Sequence, residues 1–362
     1  MKVVTKVEIT KTTKDDVDIK PISYSILSAY NMCPTWGAVR YGKRKCFPSS
    51  SRQMALEAGS ACHLAFAMHR LYNLKQQGLN KHFEFHTKRI FGEAAERILS
   101  MVNSNADDFA NLDVLCIEAL HSSGFYDEPT DKNRTMSALE ESVMAYLRSM
   151  YSRKAKTWVQ DVEDETKLVG VELSLDYILK MDYINPLTNE SGTSRVRFVG
   201  TIDGVAQGDQ LFVEENKTAS RLTDSWESGF ALSHQITAYL VFGSAEIGKT
   251  LEGALVHGLK IPQPKRGDAL GVTNTWETRN DSDVQKFFDW ILFSSDMDKV
   301  YSEEPELAPR FTHSCNRFFR PCSLLPYCKL PSKEDRATCL EHEMVTAELS
   351  PSEQSALDKH GD

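Results

Sequence analysis

The sequence predicts an α/β protein in which a block of helices precedes a β-sheet, and three observations support this fold class. Residues 80–160 contain three amphipathic segments whose apolar residues recur at three- and four-residue steps, the period of a helix. The stretches 168–184 and 253–261 are rich in the β-branched and aromatic residues that strands favour. Residues 197–220 have the pattern of two short strands joined by a tight turn.

The composition is that of an ordinary globular protein. The chain has 362 residues, of which 41% are hydrophobic and 26% charged, enough for one large core or for a core with an accessory lobe. No run approaches the ~20 apolar residues of a membrane span, and the opening MKVVTKVEITKTTKDD has no signal-peptide segment. We therefore expect a cytoplasmic protein whose eight cysteines are free thiols or metal ligands. The net charge of −9 argues against nonspecific nucleic-acid binding by bulk charge.

The first predicted helix is short. Ser23 or Ser25 can cap it, and it ends near Cys33 because Pro34 disfavours the helical conformation in the residue before it. A basic cluster follows at 40–45. Such a cluster is usually a solvated face, and phosphate contact is the less frequent alternative.

A longer helical pattern runs from 51 to 77 and contains one histidine of interest. Small residues at 58–61 would let another backbone approach just before His63. A lone histidine on an apolar helix face is more often a hydrogen-bonded core residue than a ligand. His63 is therefore a candidate site residue only if other residues support it.

The hairpin carries the strongest chemical signal. Asp203 lies in its first strand, and Glu215 and Lys217 share one face of the second because side chains two apart point the same way. Two carboxylates and one ammonium on a shared face suit a divalent metal, since Mg²⁺ and Mn²⁺ take oxygen ligands. The alternative is an exposed hairpin with ordinary surface charges. Because clustered carboxylates repel, we expect removal of Asp203 to leave the fold intact. Glu172 is a peripheral candidate, for which a surface role is favoured.

The elements after the hairpin are predicted to alternate. A helix is expected from 224 to 242, on which Gln235 and Tyr239 share one face because they are four residues apart. Residues 273–279 have the pattern of an edge strand, and 281–297 that of an amphipathic helix capped by its first or second residue.

Three cysteines cluster near the end of the chain. Cys315, Cys322 and Cys328 lie within fourteen residues, and in a cytoplasmic protein such a group implies a metal or cluster more than disulfides. An iron–sulfur cluster takes thiolate ligands, of which the fourth can come from far away in sequence. Cys339 is one candidate for it. Residues 341–362 are acidic and polar, which predicts a disordered tail.

Taken together, these residues resemble the RecB-like branch of the PD-(D/E)XK nuclease superfamily. More narrowly, they are similar to its iron–sulfur members: the AddB-type helicase–nucleases, the CRISPR-associated adaptation nucleases and the single-domain phage exonucleases. The resemblance covers roughly 22–77 and 165–330. The matching motifs, in family order, are Gly59-x-x-x-His63, Gly200-x-x-Asp203, Glu215-x-Lys217 and Gln235-x-x-x-Tyr239. The segment before the sheet resembles the one that supplies the first cluster cysteine, here Cys33.

The sequence departs from the family pattern in two places. The C-terminal cysteines read C-x6-C-x5-C, where many relatives have C-x2-C-x5-C, so the third ligand and the choice between iron–sulfur and zinc stay open. Glu214 precedes Glu215, and the E-x-K spacing favours Glu215 because it shares a strand face with Lys217.

The resemblance implies a restriction-endonuclease-like core, that is, a central mixed sheet flanked by helices, with an inserted helical lobe and an iron–sulfur clasp. It implies a metal-dependent DNA exonuclease that hydrolyses phosphodiester bonds of single strands or DNA ends in recombination, repair or phage DNA processing. The implied ligands of Mg²⁺ or Mn²⁺ are His63, Asp203, Glu215 and the backbone carbonyl of Asn216. Lys217 would position or activate water, and Gln235 and Tyr239 would support the site or contact the DNA backbone. The implied ligands of a 4Fe-4S cluster are Cys33, Cys315, Cys322 and Cys328.

Five regions follow from this interpretation. They are an N-terminal segment with the first cluster cysteine (1–50), a helical lobe with the histidine motif (51–164), the nuclease core (165–310), the cysteine segment (311–340) and the tail (341–362). DNA is the implied partner, in the cytoplasm of a bacterial or phage-infected cell, with a helicase, recombinase or integrase as possible protein partners and no membrane. Two other functions stay open: a catalytically idle DNA-binding or assembly subunit, and a CRISPR-type adaptation nuclease that acts within a complex.

Overall fold

The computed structural model describes residues 2–16, 18–48, 54–104, 112–151, 167–264, 271–317 and 320–347. Its α-helices are α1 (Tyr24–Met32), α2 (Pro34–Gly37), α3 (Met54–Gln76), α4 (Asn80–Phe91), α5 (Ala95–Ser104), α6 (Leu112–His121), α7 (Met136–Tyr151), α8 (Asp224–Glu227), α9 (His234–Ile247), α10 (Asp281–Tyr301), α11 (Leu325–Lys329) and α12 (Lys333–His342). Its strands are β1 (Val3–Lys11), β2 (Pro21–Ser23), β3 (Lys45–Cys46), β4 (Lys167–Ile184), β5 (Ser191–Gln207), β6 (Leu211–Ala219), β7 (Gly253–Lys260), β8 (Val272–Glu277), β9 (Asn316–Arg317), β10 (Arg320–Pro321) and β11 (Val345–Thr346).

The described residues form two compact units, which the long strands β4 and β5 share. Unit 1 takes its residues from 1–51, 174–201 and 280–362, and unit 2 from 52–173 and 202–279. The main sheet has the strand order β1-β4-β5-β6-β7-β8, with β2 paired to β5. The sheet is mixed, as the family resemblance implies. Strands β2 and β5 pair parallel, as do β6 and β7, whereas the pairs β1–β4, β5–β6 and β7–β8 are antiparallel.

In unit 1, α1 begins and ends where the sequence predicts. Ser23 is its N-cap, because the side-chain oxygen accepts a hydrogen bond from the Ile26 backbone N–H at 3.4 Å. Cys33 ends the helix in an extended conformation, and Pro34 begins α2. The cap of α10 differs from the expectation. Asn280 closes a capping box with Asp283 just before the predicted cap residues, because an amide oxygen one position earlier can reach the same backbone donors.

In unit 2, helices α3 to α7 surround a single hydrophobic core. Phe66 and Leu71 of α3, Leu115 of α6 and Leu139 of α7 are almost fully buried in it. Val171 of β4 belongs to the same cluster, so the core joins the helices to the sheet. The helical pattern of 51–77 therefore corresponds to α3, a central helix of the unit.

The helix expected from 224 to 242 is interrupted. The segment forms the short α8, a 3₁₀ turn at Ser228–Phe230 and then α9, which begins only at His234. At the break the Arg279 guanidinium donates to two backbone carbonyl oxygens, Phe230 O at 2.7 Å and Ser233 O at 3.2 Å. Gly229 at this point weakens the helix further. The interruption matters because Gln235 then lies in the first turn of α9.

Part of the predicted tail is folded. Residues 341–347 include the end of α12 and strand β11, which pairs antiparallel with β3. The Cys339 side chain at the end of this helix is buried in a small cluster with Val39 and Tyr327, and such apolar contacts order the chain beyond 340. Residues 348–362 lie outside the described part of the chain. Among the described residues, no helix combines the length and apolar character needed to cross a membrane.

Candidate functional site

The β5–β6 ladder ends where the candidate site begins. Its register runs from Gln207↔Leu211 to Gly204↔Glu214. One position further, the Asp203 carboxylate Oδ2 accepts a hydrogen bond from the Asn216 backbone N–H at 3.0 Å. The side chain of one strand therefore bonds to the backbone of the other, which fixes the Asp203 carboxylate at the end of the ladder.

Glu215 and Lys217 are in contact on β6. The Lys217 ammonium forms an ion pair with Glu215 Oε1, and Gln235 Nε2 donates to the same oxygen at 3.4 Å and to the Tyr239 hydroxyl at 2.8 Å. Glu215 is only 1% exposed. Its second oxygen, Oε2, is buried and has no hydrogen-bond partner within the part of the chain that the structure describes. A buried carboxylate oxygen left in this way is costly unless something else binds it.

His63 reaches the same place from α3. Its Nδ1 lies 3.4 Å from Asp203 Oδ2. The helix approaches β6 closely at Gly59, where an added Cβ would lie 3.1 Å from Thr218 Oγ1. Glycine at this position leaves room for the close approach of α3 to β6, just before His63.

Burial and neighbouring charges together shift the pKa values of three site residues. Burial opposes ionisation of Asp203, but the neighbouring His63, Arg70 and Lys217 outweigh it and hold the pKa of Asp203 below its usual range. Burial raises the pKa of Glu215, and repulsion from Asp203 adds to the shift. Burial lowers the pKa of His63, but attraction to Asp203 and Glu215 leaves it raised overall. Attraction to these cationic neighbours therefore outweighs repulsion at Asp203. Removing the Asp203 side chain should relieve less repulsion than the clustering of carboxylates in the sequence suggests.

Glu172 belongs to this environment, although its sequence position favoured a surface role. Burial and the nearby Asp203 raise the pKa of Glu172 to about 7, while Arg70 and His63 oppose the shift. Its backbone has φ of 47°, a left-handed conformation that is uncommon for a residue other than glycine. Arg89 donates to the carbonyl of Glu172 and, at 3.3 Å, to that of Val171. Nothing local in the sequence indicates this placement.

A buried carboxylate–guanidinium pair lies on the other face of β6. Glu214 points to the opposite face of β6 from Glu215 because consecutive strand residues alternate. Its Oε2 accepts a hydrogen bond from Arg70 Nε at 3.2 Å, and both side chains are buried. Arg70 follows His63 by two helical turns on α3, and its charge also helps to keep Asp203 ionised. Arg70 was not predicted as a site residue, and its seven-residue spacing from His63 is the sequence signal that could have indicated it.

A comparison with protein families fits this geometry. The model of the PD-(D/E)XK nuclease superfamily matches residues 51–329, most of the chain. The chain belongs to the PD-(D/E)XK nuclease superfamily. No curated protein matches the sequence significantly. Membership makes the protein a metal-dependent nuclease and indicates DNA as its substrate.

The carboxylate site of the nuclease suits a divalent cation. Among the described residues, no group of three or more His, Cys, Asp or Glu side chains is arranged as a formed metal site. The donor chemistry nevertheless fits, because an ionised Asp203 and an orphaned Glu215 Oε2 are hard oxygen donors. Lys217 already neutralises part of the charge at Oε1. A cation would satisfy the remaining oxygen.

The four candidate cluster cysteines of the nuclease lie together in unit 1. They line one cavity, whose other walls include Met32, Trp36, Arg310 and Phe311; the cysteines are Cys33, Cys315, Cys322 and Cys328. Burial raises the pKa of Cys328 to about 11, and the neighbouring thiols add to the shift. Cys339 is not among the lining residues and instead contacts Glu343 at 3.7 Å.

The unusual cysteine spacing has a structural explanation. Between Cys315 and Cys322 the chain turns back on itself in the β9–β10 pair, where Pro321 is opposite Asn316. The Cys322 backbone N–H therefore donates to the Cys315 carbonyl at 2.8 Å. This hydrogen bond holds the backbones of the two cysteines together despite the six residues between them.

Proposed function

We propose that the protein is a DNA exonuclease of the RecB-like branch, acting on single strands or DNA ends with Mg²⁺ or Mn²⁺. The observation that carries this proposal is the buried Glu215 oxygen beside Asp203 and Lys217, which has no hydrogen-bond partner among the residues that the structure describes. A surface hairpin with ordinary charges would have no reason to bury a carboxylate in this way.

The proposed ligands of the cation are His63, Asp203, Glu215 and the backbone carbonyl of Asn216. When bound, the cation would lower the pKa of a coordinated water and neutralise charge on the phosphate. His63 faces Asp203 with its Nδ1, and an imidazole nitrogen can bind a cation only when it is unprotonated. Since attraction to Asp203 raises the pKa of His63, we expect cation affinity to fall in mildly acidic buffer.

Lys217 is proposed to act on the reacting phosphate or water. Its ammonium is held by Glu215 Oε1 and is therefore oriented before substrate binds, which is the condition for electrostatic stabilisation of a developing charge. Gln235 orients both Glu215 and the Tyr239 hydroxyl. We assign Gln235 and Tyr239 to support of the site or to contact with the DNA backbone.

Digestion of end-labelled single- and double-stranded DNA tests the proposal. We expect cleavage of single strands or ends with Mg²⁺ or Mn²⁺, loss of cleavage in excess EDTA and recovery when Mn²⁺ is added back. Successive shortening from one end would support an exonuclease, and internal cuts would contradict it. Hydrolysis that persists in EDTA would rule out the two-carboxylate mechanism. Binding without cleavage in either metal would instead support the idle subunit.

We further propose that Cys33, Cys315, Cys322 and Cys328 hold a 4Fe-4S cluster with a structural role, with Zn²⁺ as the alternative. Their shared cavity supports it. Cys33 and Cys315 are far apart in sequence, so a common cofactor would close nearly the whole chain into a loop and its binding energy would become folding energy.

Metal analysis of anaerobically purified protein tests the cluster. We expect about four irons per chain and loss of both iron and stability in Cys33→Ala. Cys46→Ala is the matched control, because Cys46 is half-buried and is not among the residues lining the cavity. Zinc in place of iron would select the alternative. Absence of both metals, with Cys33→Ala melting like wild type, would contradict the proposal.

A further inference from the structure

A pair of aromatic rings follows the candidate site directly in the chain. Trp226 lies in α8, and Phe230 in the 3₁₀ turn after it. The two rings pack edge to face, with centroids 4.8 Å apart and an interplanar angle of 73°. Both side chains are only half-buried, so part of their apolar surface faces solvent.

The register of the sheet places Trp226 beside the reacting residues. A Cβ added to Gly258 of β7 would collide with the indole ring, so the ring covers this glycine. Gly258 is paired with Lys217 in the β6–β7 ladder, and paired residues direct their side chains to the same face. Trp226 therefore covers the face that carries Lys217 and Glu215, about one strand spacing (~4.8 Å) away.

Several hydrogen bonds hold the aromatic segment in place. The Thr223 hydroxyl oxygen accepts from the Trp226 backbone N–H at 3.3 Å. Glu227 Oε1 accepts from Thr273 Oγ1 of β8 at 2.7 Å, and Arg279 binds the Phe230 carbonyl. A rigid aromatic surface loses little conformational entropy when a ligand binds it.

We propose that Trp226, supported by Phe230, is a stacking platform for an unpaired base of the DNA strand whose phosphate lies at Asp203, Glu215 and Lys217. This inference rests on the proposed nuclease function and adds a substrate feature to it. Every base has a π-face, so such stacking binds single strands without reading their sequence. A base within a duplex is already stacked and paired and would first have to be extruded. The platform therefore selects single strands and frayed ends.

A non-catalytic interaction of this kind suits the charge of the protein. The net charge of −9 gives no overall attraction to a polyanion. Base stacking is less sensitive to charge than phosphate contacts are, so it can supply affinity where bulk electrostatics does not.

The chain offers a matched control. Trp276 of β8 is also half-buried and also covers a β7 glycine, Gly253. It is paired with Leu255, which is in turn paired with Glu214. Trp276 therefore lies on the opposite face of the sheet, packed against Phe212 with centroids 5.6 Å apart. Truncating either tryptophan removes a half-buried indole that covers a β7 glycine, but only Trp226 lies on the face of the site.

The test measures binding of fluorescein-labelled oligothymidine to the full chain in EDTA, where the proposed reaction does not proceed. We expect Trp226→Ala to weaken binding about 5- to 150-fold, the range expected for loss of one stacked base. Trp226→Phe should retain most of the affinity, and Trp276→Ala should bind like wild type. An oligonucleotide with an abasic position at the stacked base should lose affinity for wild type but not for Trp226→Ala.

Failure of the platform and failure of the nuclease proposal are separable. Equal affinities of Trp226→Ala, Trp276→Ala and wild type would overturn the platform even if the protein cleaves DNA. Equal weakening by Trp226→Ala and Trp276→Ala, or abasic effects that Trp226→Ala does not abolish, would show that Trp226 acts only through packing. A selective effect of Trp226→Ala in a protein that never cleaves would support the platform and reject the nuclease proposal.

Discussion

The adjacent carboxylates of Glu214 and Glu215, on opposite faces of β6, have different hydrogen-bonding environments. Glu214 and Glu215 are 4% and 1% exposed, so both are removed from water. Glu214 is paired with the buried guanidinium of Arg70 at 3.2 Å. Glu215 shares one oxygen between Lys217 and Gln235 and leaves the other without a hydrogen-bond partner among the described residues.

The difference separates a structural pair from a binding site. A buried carboxylate paired with arginine is a closed arrangement, which resists change because removing either partner leaves a buried charge. A buried carboxylate with an open oxygen is unfavourable until a ligand arrives, and this unfavourable state is what gives it affinity for a cation. Under the proposed function, adjacent residues of one strand serve stability on one face and cation binding on the other.

Glycine makes the closed face possible. A Cβ at Gly204 of β5 would lie 2.7 Å from Arg70 Nε and 3.2 Å from Glu214 Oε2. A side chain at this position would therefore displace the guanidinium from its carboxylate partner. Gly204 directly follows Asp203, so the residue that admits the structural pair is next to a proposed metal ligand.

The largest effect on stability should come from breaking the Arg70–Glu214 pair on the closed face, the face of β6 that carries Glu214. We expect Arg70→Met to lower the free energy of unfolding by about 3–5 kcal/mol, because it leaves Glu214 buried and unpaired. Urea denaturation measures this loss. The double variant Arg70→Met/Glu214→Leu is the control and should recover most of the stability, since apolar replacement of a buried ion pair is often neutral. A single variant within about 1 kcal/mol of wild type would show that the pair contributes no more than a surface salt bridge.

A change on the open face, the face of β6 that carries Glu215 and Lys217, should affect the rate of DNA cleavage more than the stability of the fold. We expect Lys217→Met to lower turnover at least ~10²-fold, equivalent to about 2.7 kcal/mol of transition-state stabilisation, with little change in DNA affinity. Steady-state cleavage of labelled single strands measures both quantities. Lys249→Met, at an exposed position, is the control. An affinity loss as large as the rate loss would make Lys217 a phosphate anchor instead.

Strand alternation and helix capping allow part of the site and the ends of α1 to be predicted from the sequence. The two-residue spacing of Glu215 and Lys217 is sufficient to predict that they share a face, and the structure finds them in contact. Likewise, Ser23 and Pro34 define the limits of α1 through bonds and clashes within a few residues. Interactions of this kind are encoded in short stretches of chain.

The other face depends on long-range contacts that no local pattern encodes. Arg70 and Glu214 are 144 residues apart, and alternation alone cannot say what a buried Glu214 meets. The break before α9 is stabilised by Arg279, 49 residues after Phe230, so a continuous helix was the reasonable expectation from periodicity. The sequence favours a surface role for Glu172 for the same reason. Its neighbours Asp203, Arg70 and His63 come from other elements.

The smallest predicted effect is a change in the pH dependence of stability. It tests whether the Glu172 carboxylate belongs to the environment of the proposed site. Burial and Asp203 raise the pKa of Glu172 to about 7, well above the usual range of a glutamate. The Glu172 carboxyl therefore holds its proton more tightly in the folded state than in the unfolded state. The free energy of unfolding of the wild type should fall as the pH rises through the raised pKa of Glu172. Glu172→Gln cannot ionise and should lack this slope. We expect equal stabilities near pH 4 and an advantage of about 1–2 kcal/mol for the variant above pH 7, after allowance for solvent screening.

Urea denaturation in EDTA across this pH range measures the difference, because a bound cation would itself change the titration of the site. Glu190→Gln is the control, since it makes the same substitution at an exposed position. If Glu172→Gln follows the wild-type curve at every pH, Glu172 is solvated and has no part in the site. If it is less stable than wild type at high pH, the carboxylate is stabilised by Arg70 and Arg89 more than it is repelled by Asp203. Glu172 would then resemble the closed arrangement of Glu214 rather than the open one of Glu215.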